Sequence, residues 1–204
     1  NDSAYGANEF PDSVIYAFEP HPLSFKRLKK NAQPHVVPIH AAVGNQNGMT
    51  TLWDFAADAP LKSTQPTSQL ASLYQNVITK LHGQPATAHQ VPIISLDSFA
   101  EKHSLSHIDL LKIDAEGHEL VVLKGAKRLL AKQRIGIIQF EFNEMMSYSR
   151  THFIDFVTLL PDFTFYRLLP NDILPLGPYR PLTHEIYGFQ NVVAIHKRLL
   201  ASIV

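Results

Sequence analysis

Short apolar runs alternate with helix-period segments along most of the chain. The apolar runs predict strands at 14–18, 36–40, 50–55, 91–96, 108–113 and 135–142. The segments between them predict helices at 22–31, 97–103 and 119–130. The first helix has Phe25 and Leu28 on its inner face, and Asp97 is the predicted N-cap of the second. Near-continuous apolar strands separated by helices are typical of a parallel sheet covered on both faces, so the pattern predicts an α/β fold.

Two parts of the chain depart from this alternation. The segments 163–169 and 191–196 have no helix-length amphipathic pattern between them, which predicts an antiparallel pair that closes the sheet. Residues 56–90 are rich in Ser, Thr, Gln, Pro and Ala. This segment nevertheless places apolar residues at helical spacing, namely Leu70, Leu73, Tyr74, Val77, Ile78 and Leu81. We interpret it as an insertion in a single domain of residues 1–204, either a flap over a site or an ordinary surface excursion.

Composition and charge exclude several classes of function. A chain of 204 residues with 45% hydrophobic residues is long enough to bury one core. Its 18 basic and 18 acidic residues balance without a long single-sign run, so we expect neither a nucleic-acid nor a membrane partner. The absence of cysteine excludes disulfides and thiol nucleophiles and favours the cytoplasm. Because no apolar run approaches about 18 residues and no signal-peptide pattern opens the chain, we expect a soluble protein.

A carboxylate stands at the tip of the first predicted strand. Glu19 follows the apolar run in "VIYAFEPHP", and Pro20 ends the strand. At this position a carboxylate can accept hydrogen bonds from both hydroxyl groups of a ribose, as it does in nucleotide-binding folds. The alternative is that Glu19 only complements the dipole of the helix that follows.

A second group of ionisable residues, "DAEGHE", joins a predicted strand to a predicted helix. Asp114 should end the strand at the rim of the sheet, and Gly117 should let the backbone turn closely. The helix dipole accounts for Glu116 and Glu119, at roughly 0.3–1 kcal/mol each. It does not account for Asp114 or His118. His118 is either a proton acceptor or a solvated surface residue.

Five motifs occur in an order that resembles a known family. They are "VIYAFEPHPLSFKRLKKN", "AAVGNQNG", "SLDSF", "IDLLKIDAEGHELVVLKGAKRLL" and "FQNVVAIHK", within residues 12–198. The chain is similar to FkbM-type methyltransferases, which use S-adenosylmethionine and mostly methylate oxygen on small metabolites or sugars. The resemblance implies a class I methyltransferase fold, a Rossmann-like three-layer sandwich. Its sheet would be mostly parallel, with an antiparallel C-terminal strand.

The same resemblance implies where the cofactor S-adenosylmethionine would bind. Glu19, with Pro20 beside it, would hold the ribose hydroxyl groups. The stretch that would pack on the edge of the adenine is Ala41, Ala42 and Val43.

The resemblance also assigns the acceptor end of the site. Asp114 would lie beside the methionine end of the cofactor and face a small-molecule or glycan acceptor. Glu116 and His118 would bind that acceptor or remove its proton. We expect acceptor choice to depend on residues 56–90 and on the loop 170–190, whose polar and aromatic residues include Asp172, Tyr179, Arg180, His184 and Tyr187.

The chain departs from the family at its start. The family's first strand ends in a glycine-rich loop, "D-x-G-A-N-x-G", that wraps the methionine part of the cofactor. The "GAN" at residues 6–8 lies too close to Glu19 to be this loop, and Phe10 replaces its second glycine. We interpret it as a chance match within a helix end and loop at 5–13. The first strand of the fold is therefore predicted to be missing from this chain.

Three other interpretations stay open. A nicotinamide-dependent oxidoreductase would share the carboxylate at the strand tip, but it would need a G-x-G-x-x-G loop that the chain does not contain. A metal-dependent hydrolase would use as ligands Asp114, Glu116, His118 and Glu119. A non-catalytic scaffold that retains the fold is the third.

Overall fold

The structure is a computed structural model that describes residues 9–57, 59 and 70–200. The chain divides into two compact units, Asn1–Ile94 and Ser95–Val204. Both combine strands and helices, so the fold is mixed α/β, as predicted. The "GAN" at 6–8 lies outside the described residues. No helix in the described part of the chain is long and apolar enough to cross a membrane.

The first unit begins with the predicted strand–helix–strand arrangement. Strand β1 (Ile15–Phe18) pairs in parallel with β2 (Val36–Ile39), and helix α1 (Pro22–Asn31) connects them. Leu28 is buried and Phe25 is half-buried, as their helical spacing predicts. A parallel pair needs such a crossover, and it leaves the carboxyl ends of both strands at one edge of the sheet.

A second sheet of three strands completes this unit. Its strands are β3 (Ala42–Gly44), β4 (Gly48–Phe55) and β5 (Ala86–Ser95), in the order β3-β5-β4. Strands β4 and β5 are antiparallel. The sheet buries a small apolar cluster formed by Ala42, Leu52, Val91 and Ile93. Because β5 starts at Ala86, the last residues of the predicted insertion belong to a strand.

The helical spacing predicted within the insertion is only partly realised. A π-helical turn spans Val77–Leu81, and both Val77 and Ile78 are fully buried. Upstream, Ser72 instead pairs with Trp53 of β4 through two backbone hydrogen bonds of 2.8 and 2.9 Å. Because of this pairing, the backbone at Ser72 forms a β-bridge rather than part of a helix. Residues 58 and 60–69 lie outside the described residues, so the role of the segment as a flap stays a prediction.

The second unit is built on a sheet of five strands in the order β6-β7-β10-β8-β9. The strands are β6 (Ile108–Ile113), β7 (Ile135–Phe142), β8 (Phe163–Leu168), β9 (Ile173–Pro175) and β10 (Gln190–His196). Strands β6 and β7 are parallel, and β10 is antiparallel to both β7 and β8. The antiparallel closing pair is therefore confirmed. Antiparallel pairing has a larger share than the apolar pattern predicts, because β4–β5 and β8–β9 add such pairs of their own.

The helices of this unit are short. They are α2 (Leu96–Lys102), α3 (Glu119–Lys124), α4 (Lys127–Ala131), α5 (Met145–Ser149), α6 (Phe153–Leu159), α7 (Pro181–His184) and α8 (Lys197–Leu200). The single helix predicted for 119–130 is wrong, because the chain breaks into α3 and α4 at Gly125. A main-chain hydrogen bond of 2.9 Å from Asp97 to the Gly125 oxygen replaces an intrahelical bond at this break.

The predicted N-cap of α2 is also wrong. The N-cap is Ser95, whose side chain accepts a hydrogen bond from the Ser98 N–H at 3.2 Å. The carboxylate of Asp97 instead accepts the main-chain N–H groups of Arg128 and Leu129, at 2.8 and 3.0 Å. Asp97 therefore caps α4, a partner that local spacing does not indicate.

Four phenylalanines form the centre of the core in this unit. Phe140 and Phe142 of β7 pack against Phe153 and Phe156 of α6, and all four are fully buried. The rings of Phe140 and Phe156 stack with centroids 4.3 Å apart. The opposite face of β7 carries Glu141, which is only half-buried. This alternation places a polar side chain next to the carboxyl end of the strand.

Candidate functional site

Glu19 occupies the tip of β1, as the sequence predicts. Its main-chain N–H continues the parallel pairing by donating to the Ile39 oxygen at 3.0 Å. Its Oε1 accepts the His21 N–H at 2.7 Å. Burial raises the pKa of Glu19, and the hydrogen bond from His21 opposes this increase without cancelling it. The carboxylate lies just before the N-cap of α1, whose first turn holds no acidic residue, so the ribose and the dipole interpretations both stay open.

The residues expected at the adenine edge follow the neighbouring strand. Ala41 and Ala42 are buried, and Val43 is half-buried. The Ala41 N–H donates to the Ile39 oxygen at 3.1 Å. Because β1 and β2 are parallel, these residues and Glu19 lie beyond the same edge of their sheet. The structure thus places both sets of residues at one edge of this sheet, and their role in binding a cofactor stays a prediction.

Asp114 and Gly117 adopt the predicted conformation at the end of β6. The side chain of Asp114 is 40% exposed, and its Oδ2 lies 3.8 Å from Lys112 Nζ. Gly117 has φ +97°, which disfavours a side chain. A Cβ there would lie 3.3 Å from the main-chain oxygen of Met145. The glycine therefore allows both the turn and the close approach of α5.

Glu119 supports the loop from inside rather than facing solvent. The residue is 1% exposed. Its Oε1 accepts the N–H groups of Ala115 and Gly117, at 2.9 and 3.4 Å. Its Oε2 is buried and meets no hydrogen-bond partner among the described residues. Burial raises the pKa of Glu119 to about 7, although its backbone hydrogen bonds favour the charged form.

Glu116 lies in a cluster of carboxylates that the dipole argument did not foresee. Burial is the main cause that raises its pKa to about 8, and Asp114, Glu141, Glu119 and Glu144 raise it further by charge repulsion. The dipole would lower this pKa, so burial and repulsion outweigh it. Glu116 therefore carries a proton for much of the time at neutral pH.

The end of β7 contributes site residues that sequence reasoning missed. Asn143 is buried, and its Nδ2 donates to Glu141 Oε2 at 3.4 Å. Its Oδ1 accepts the Met145 N–H at 3.0 Å. Because β6 and β7 are parallel, "FEFNE" and "DAEGHE" end at the same edge of the sheet. Applying the strand-tip argument to β7 as well would have found Glu141, Asn143 and Glu144.

His118 is not a solvated surface residue. It is half-buried immediately before α3, and its main-chain oxygen accepts the Val121 and Val122 N–H groups. Burial lowers the pKa of His118 to about 4, so the imidazole is neutral at physiological pH. A neutral imidazole can hydrogen-bond a hydroxyl group, but a group with so low a pKa is a weak base.

A buried polar group in the first unit was not predicted at all. His21 Nε2 lies 2.9 Å from Asp54 Oδ2, and the rings of His21 and His89 are 5.1 Å apart. These three residues offer ligand atoms within 4.8 Å of one another, and no other set in the described part of the chain does so. The metal-dependent hydrolase interpretation of residues 114–119 therefore gains no support. Local spacing gave no signal, because the three residues come from separate elements.

The loop 170–190 is hydrogen-bonded to the start of helix α6. Tyr179 donates its hydroxyl hydrogen to Glu185 Oε1 at 2.8 Å. Glu185 Oε2 accepts the Phe153 N–H at 2.8 Å, at the start of α6. The Tyr187 ring stacks on Phe142 with centroids 5.3 Å apart. These contacts give the loop a structural role, and its role in acceptor choice stays a prediction.

The order of elements agrees with the family resemblance. A family profile described as "Methyltransferase FkbM domain" matches residues 5–167, most of the chain. The chain belongs to the FkbM methyltransferase family. It is 34% identical to Methyltransferase 1 of Beauveria bassiana in an alignment of 131 residues that covers 59% of this chain and 52% of that protein. It is 27% identical to the hexuronic acid methyltransferase AglP of Haloferax volcanii over 128 residues, 61% of this chain and 46% of AglP.

This FkbM-family chain spans about half the length of the curated relatives it matches. The crystal structure of an FkbM methyltransferase from Methylobacillus flagellatus aligns with 95% of the chain and 40% of its own length. The alignment has a TM-score of 0.48 and 11% sequence identity. We draw no functional conclusion from a likeness of this level.

Proposed function

We propose that this FkbM-family protein is an S-adenosylmethionine-dependent methyltransferase that methylates oxygen on a small metabolite or sugar. The observation that supports the cofactor assignment best is the position of Glu19. Its half-buried carboxylate is fixed at the carboxyl end of a parallel strand by the His21 N–H. Carboxylates in this position hold ribose in nucleotide-binding folds.

The donor set at this edge fits the ribose of the cofactor. Glu19 Oε1 already accepts one hydrogen bond, whereas no donor among the described residues contacts Oε2. A carboxylate oxygen has two lone pairs, so Glu19 retains acceptor capacity for both ribose hydroxyl groups. When bound, the cofactor supplies an activated methyl group on a sulfonium.

The acceptor end fits proton removal from a hydroxyl group. As the acceptor oxygen gains the methyl group, it loses its proton, and we assign that proton to the carboxylate of Glu116. A base with a pKa of about 8 binds a proton more strongly than His118, whose pKa is about 4. His118 then serves as a neutral hydrogen-bond partner, and the exposed carboxylate of Asp114 orients the hydroxyl group.

The negative charge of this carboxylate cluster restricts which acceptors can bind. The pKa of Glu116 is already raised by charge repulsion from neighbouring carboxylates, namely Asp114, Glu119, Glu141 and Glu144. An anionic group placed among them would add to that repulsion. We therefore propose a neutral, hydroxyl-bearing acceptor. The similarity to a hexuronic acid methyltransferase supports the sugar class.

Calorimetric titration of the full-length protein with S-adenosylhomocysteine tests the cofactor assignment. Wild type should bind, and Glu19→Gln should bind about tenfold more weakly because an amide loses one charged acceptor. Glu101→Gln, which removes a carboxylate whose side chain is 70% exposed, is the matched control and should bind as wild type does. No binding by the full-length wild type would overturn the proposed function. A methyl-transfer assay over neutral and anionic sugars then tests the acceptor class.

A further inference from the structure

His21 connects the carboxylate at the strand tip to the second sheet of its own unit. Its main-chain N–H holds Glu19 Oε1 at 2.7 Å. Its ring is buried, at 2% exposure of the residue. The two ring nitrogens face different elements, Nδ1 towards helix α1 and Nε2 towards Asp54 on β4. A single residue thus fixes the turn that carries Glu19 at three points.

The contact with helix α1 determines which nitrogen carries the proton. Nδ1 accepts the Leu23 N–H at 3.2 Å, so it must present a lone pair. The hydrogen of the neutral ring is then on Nε2, which lies 2.9 Å from Asp54 Oδ2. The pair does not have the alignment of a hydrogen bond, but at this distance the ring nitrogen and the carboxylate attract each other electrostatically, and both groups are shielded from water.

Asp54 is itself fixed and ionised. Its Oδ1 accepts the Phe55 N–H at 2.7 Å, which leaves Oδ2 for His21. Burial by itself raises the pKa of Asp54, but the contact with His21 and the hydrogen bond from Phe55 outweigh it and lower the pKa below its ordinary value. Both carboxylate oxygens are therefore engaged, and the negative charge stays next to the His21 ring.

The same tautomer argues against a metal at His21, Asp54 and His89, although their ligand atoms lie within 4.8 Å of one another. A metal bound to His21 Nε2 would require a lone pair on that nitrogen. The ring hydrogen would then be on Nδ1 and would face the Leu23 N–H, donor against donor. Binding a metal would break the cap of α1.

We propose that His21 and Asp54 are positioning residues that hold the Glu19 carboxylate in the orientation needed to bind ribose. The inference rests on the proposed function, because it assigns to Glu19 the ribose of the cofactor. Neither His21 nor Asp54 is expected to touch the cofactor through its side chain. They act on Glu19 through the main-chain N–H of His21, and the buried contact between His21 and Asp54 fixes the position of that N–H group.

Two variants remove the contact while preserving the rest of the turn. Asp54→Asn keeps an acceptor oxygen for the Phe55 N–H but removes the negative charge that faces the His21 ring. His21→Asn retains a favoured N-cap acceptor for α1, but its shorter side chain does not reach Asp54. The matched control is Asp97→Asn, because Asp97 also holds two N–H groups through its two oxygens, in the other unit.

The measurement compares binding of S-adenosylhomocysteine with that of its 2′,3′-dideoxy analogue by calorimetry on the full-length protein. Wild type should prefer the natural ligand. In Asp54→Asn and His21→Asn the natural ligand should bind about tenfold more weakly, the analogue about as before, and the preference should approach one. Asp97→Asn should keep the preference. A general loss of stability would weaken both ligands together, so the ratio separates positioning from folding.

The possible results have distinct meanings. Wild type that prefers the natural ligand, with variants that keep that preference, would overturn the positioning role and leave the proposed function intact. Wild type that binds neither ligand would overturn the proposed function itself. Titration with ZnCl₂ checks the tautomer. Stoichiometric zinc binding that is lost in His89→Ala would overturn the assignment of the proton to His21 Nε2.

Discussion

Replacing Glu119 by glutamine should change how the stability of the protein depends on pH. Burial raises the pKa of this carboxyl group from 4.5 to about 7. The folded state therefore disfavours the ionised form, and stability is lost as the pH rises from the unfolded value through the folded one. A pKa difference of this size corresponds to about 3 kcal/mol when the pH is above both values. Glutamine stays neutral and should remove this dependence.

Urea unfolding of wild type and Glu119→Gln at about pH 5 and about pH 8 measures the effect. Between these two pH values the difference in unfolding free energy should move by about 2.5 kcal/mol in favour of the variant. Any fixed cost of burying the amide is the same at both pH values and cancels. Glu101→Gln, at a side chain that is 70% exposed and pairs with Arg128, whose charge is the same at both pH values, is the control and should show no such change. Parallel pH dependences in wild type and Glu119→Gln would refute the reasoning.

Three further predictions concern the same unit and the glycine turns. Because Glu116 has a pKa of about 8, the rate of methyl transfer should rise as the pH increases through that value. Glu116→Gln should be about 100-fold slower, and its rate should not depend on pH in this range. A variant with the same pH dependence as wild type would exclude Glu116 as the base. Gly117→Ala should lower stability by about 2 kcal/mol, since it has φ +97° and a Cβ would meet a main-chain oxygen at 3.3 Å. Gly83→Ala, with φ +62° and open space around it, should cost less, and equal losses in thermal unfolding would contradict the steric argument. Phe153→Ala should lower the free energy of unfolding by about 3–5 kcal/mol in urea, because the ring is fully buried. Leu182→Ala, at 94% exposure, should change it by less than about 0.5 kcal/mol. Similar losses in the two variants would place Phe153 outside the core.

The positions of most strands and of α1 could be predicted from the sequence, because apolar periodicity depends on local geometry. The break at Gly125 could not be predicted in the same way. It depends on Asp97, which lies in another helix and caps α4 through Arg128 and Leu129. Strand β9 likewise forms by pairing with β8, and its short exposed sequence has no apolar alternation of its own.

The sequence also located the two strand-tip groups of the candidate site. Glu19 and Asp114 follow apolar runs directly, and carboxyl ends of parallel strands are where such folds bind ligands. It did not indicate His21 and Asp54 as a pair, because the two residues belong to elements that come together only in the folded unit.

The charge states of the site were decided by the tertiary structure alone. The sequence established that Glu116 and His118 are titratable groups at a strand-to-helix junction. Whether Glu116 is protonated depends on its burial and on Glu141 and Glu144, which arrive from the next strand. His118 is neutral because it is desolvated. Local sequence determines which side chain stands at a junction, whereas its pKa depends on the solvent excluded and the charges placed nearby, and both are properties of the assembled fold.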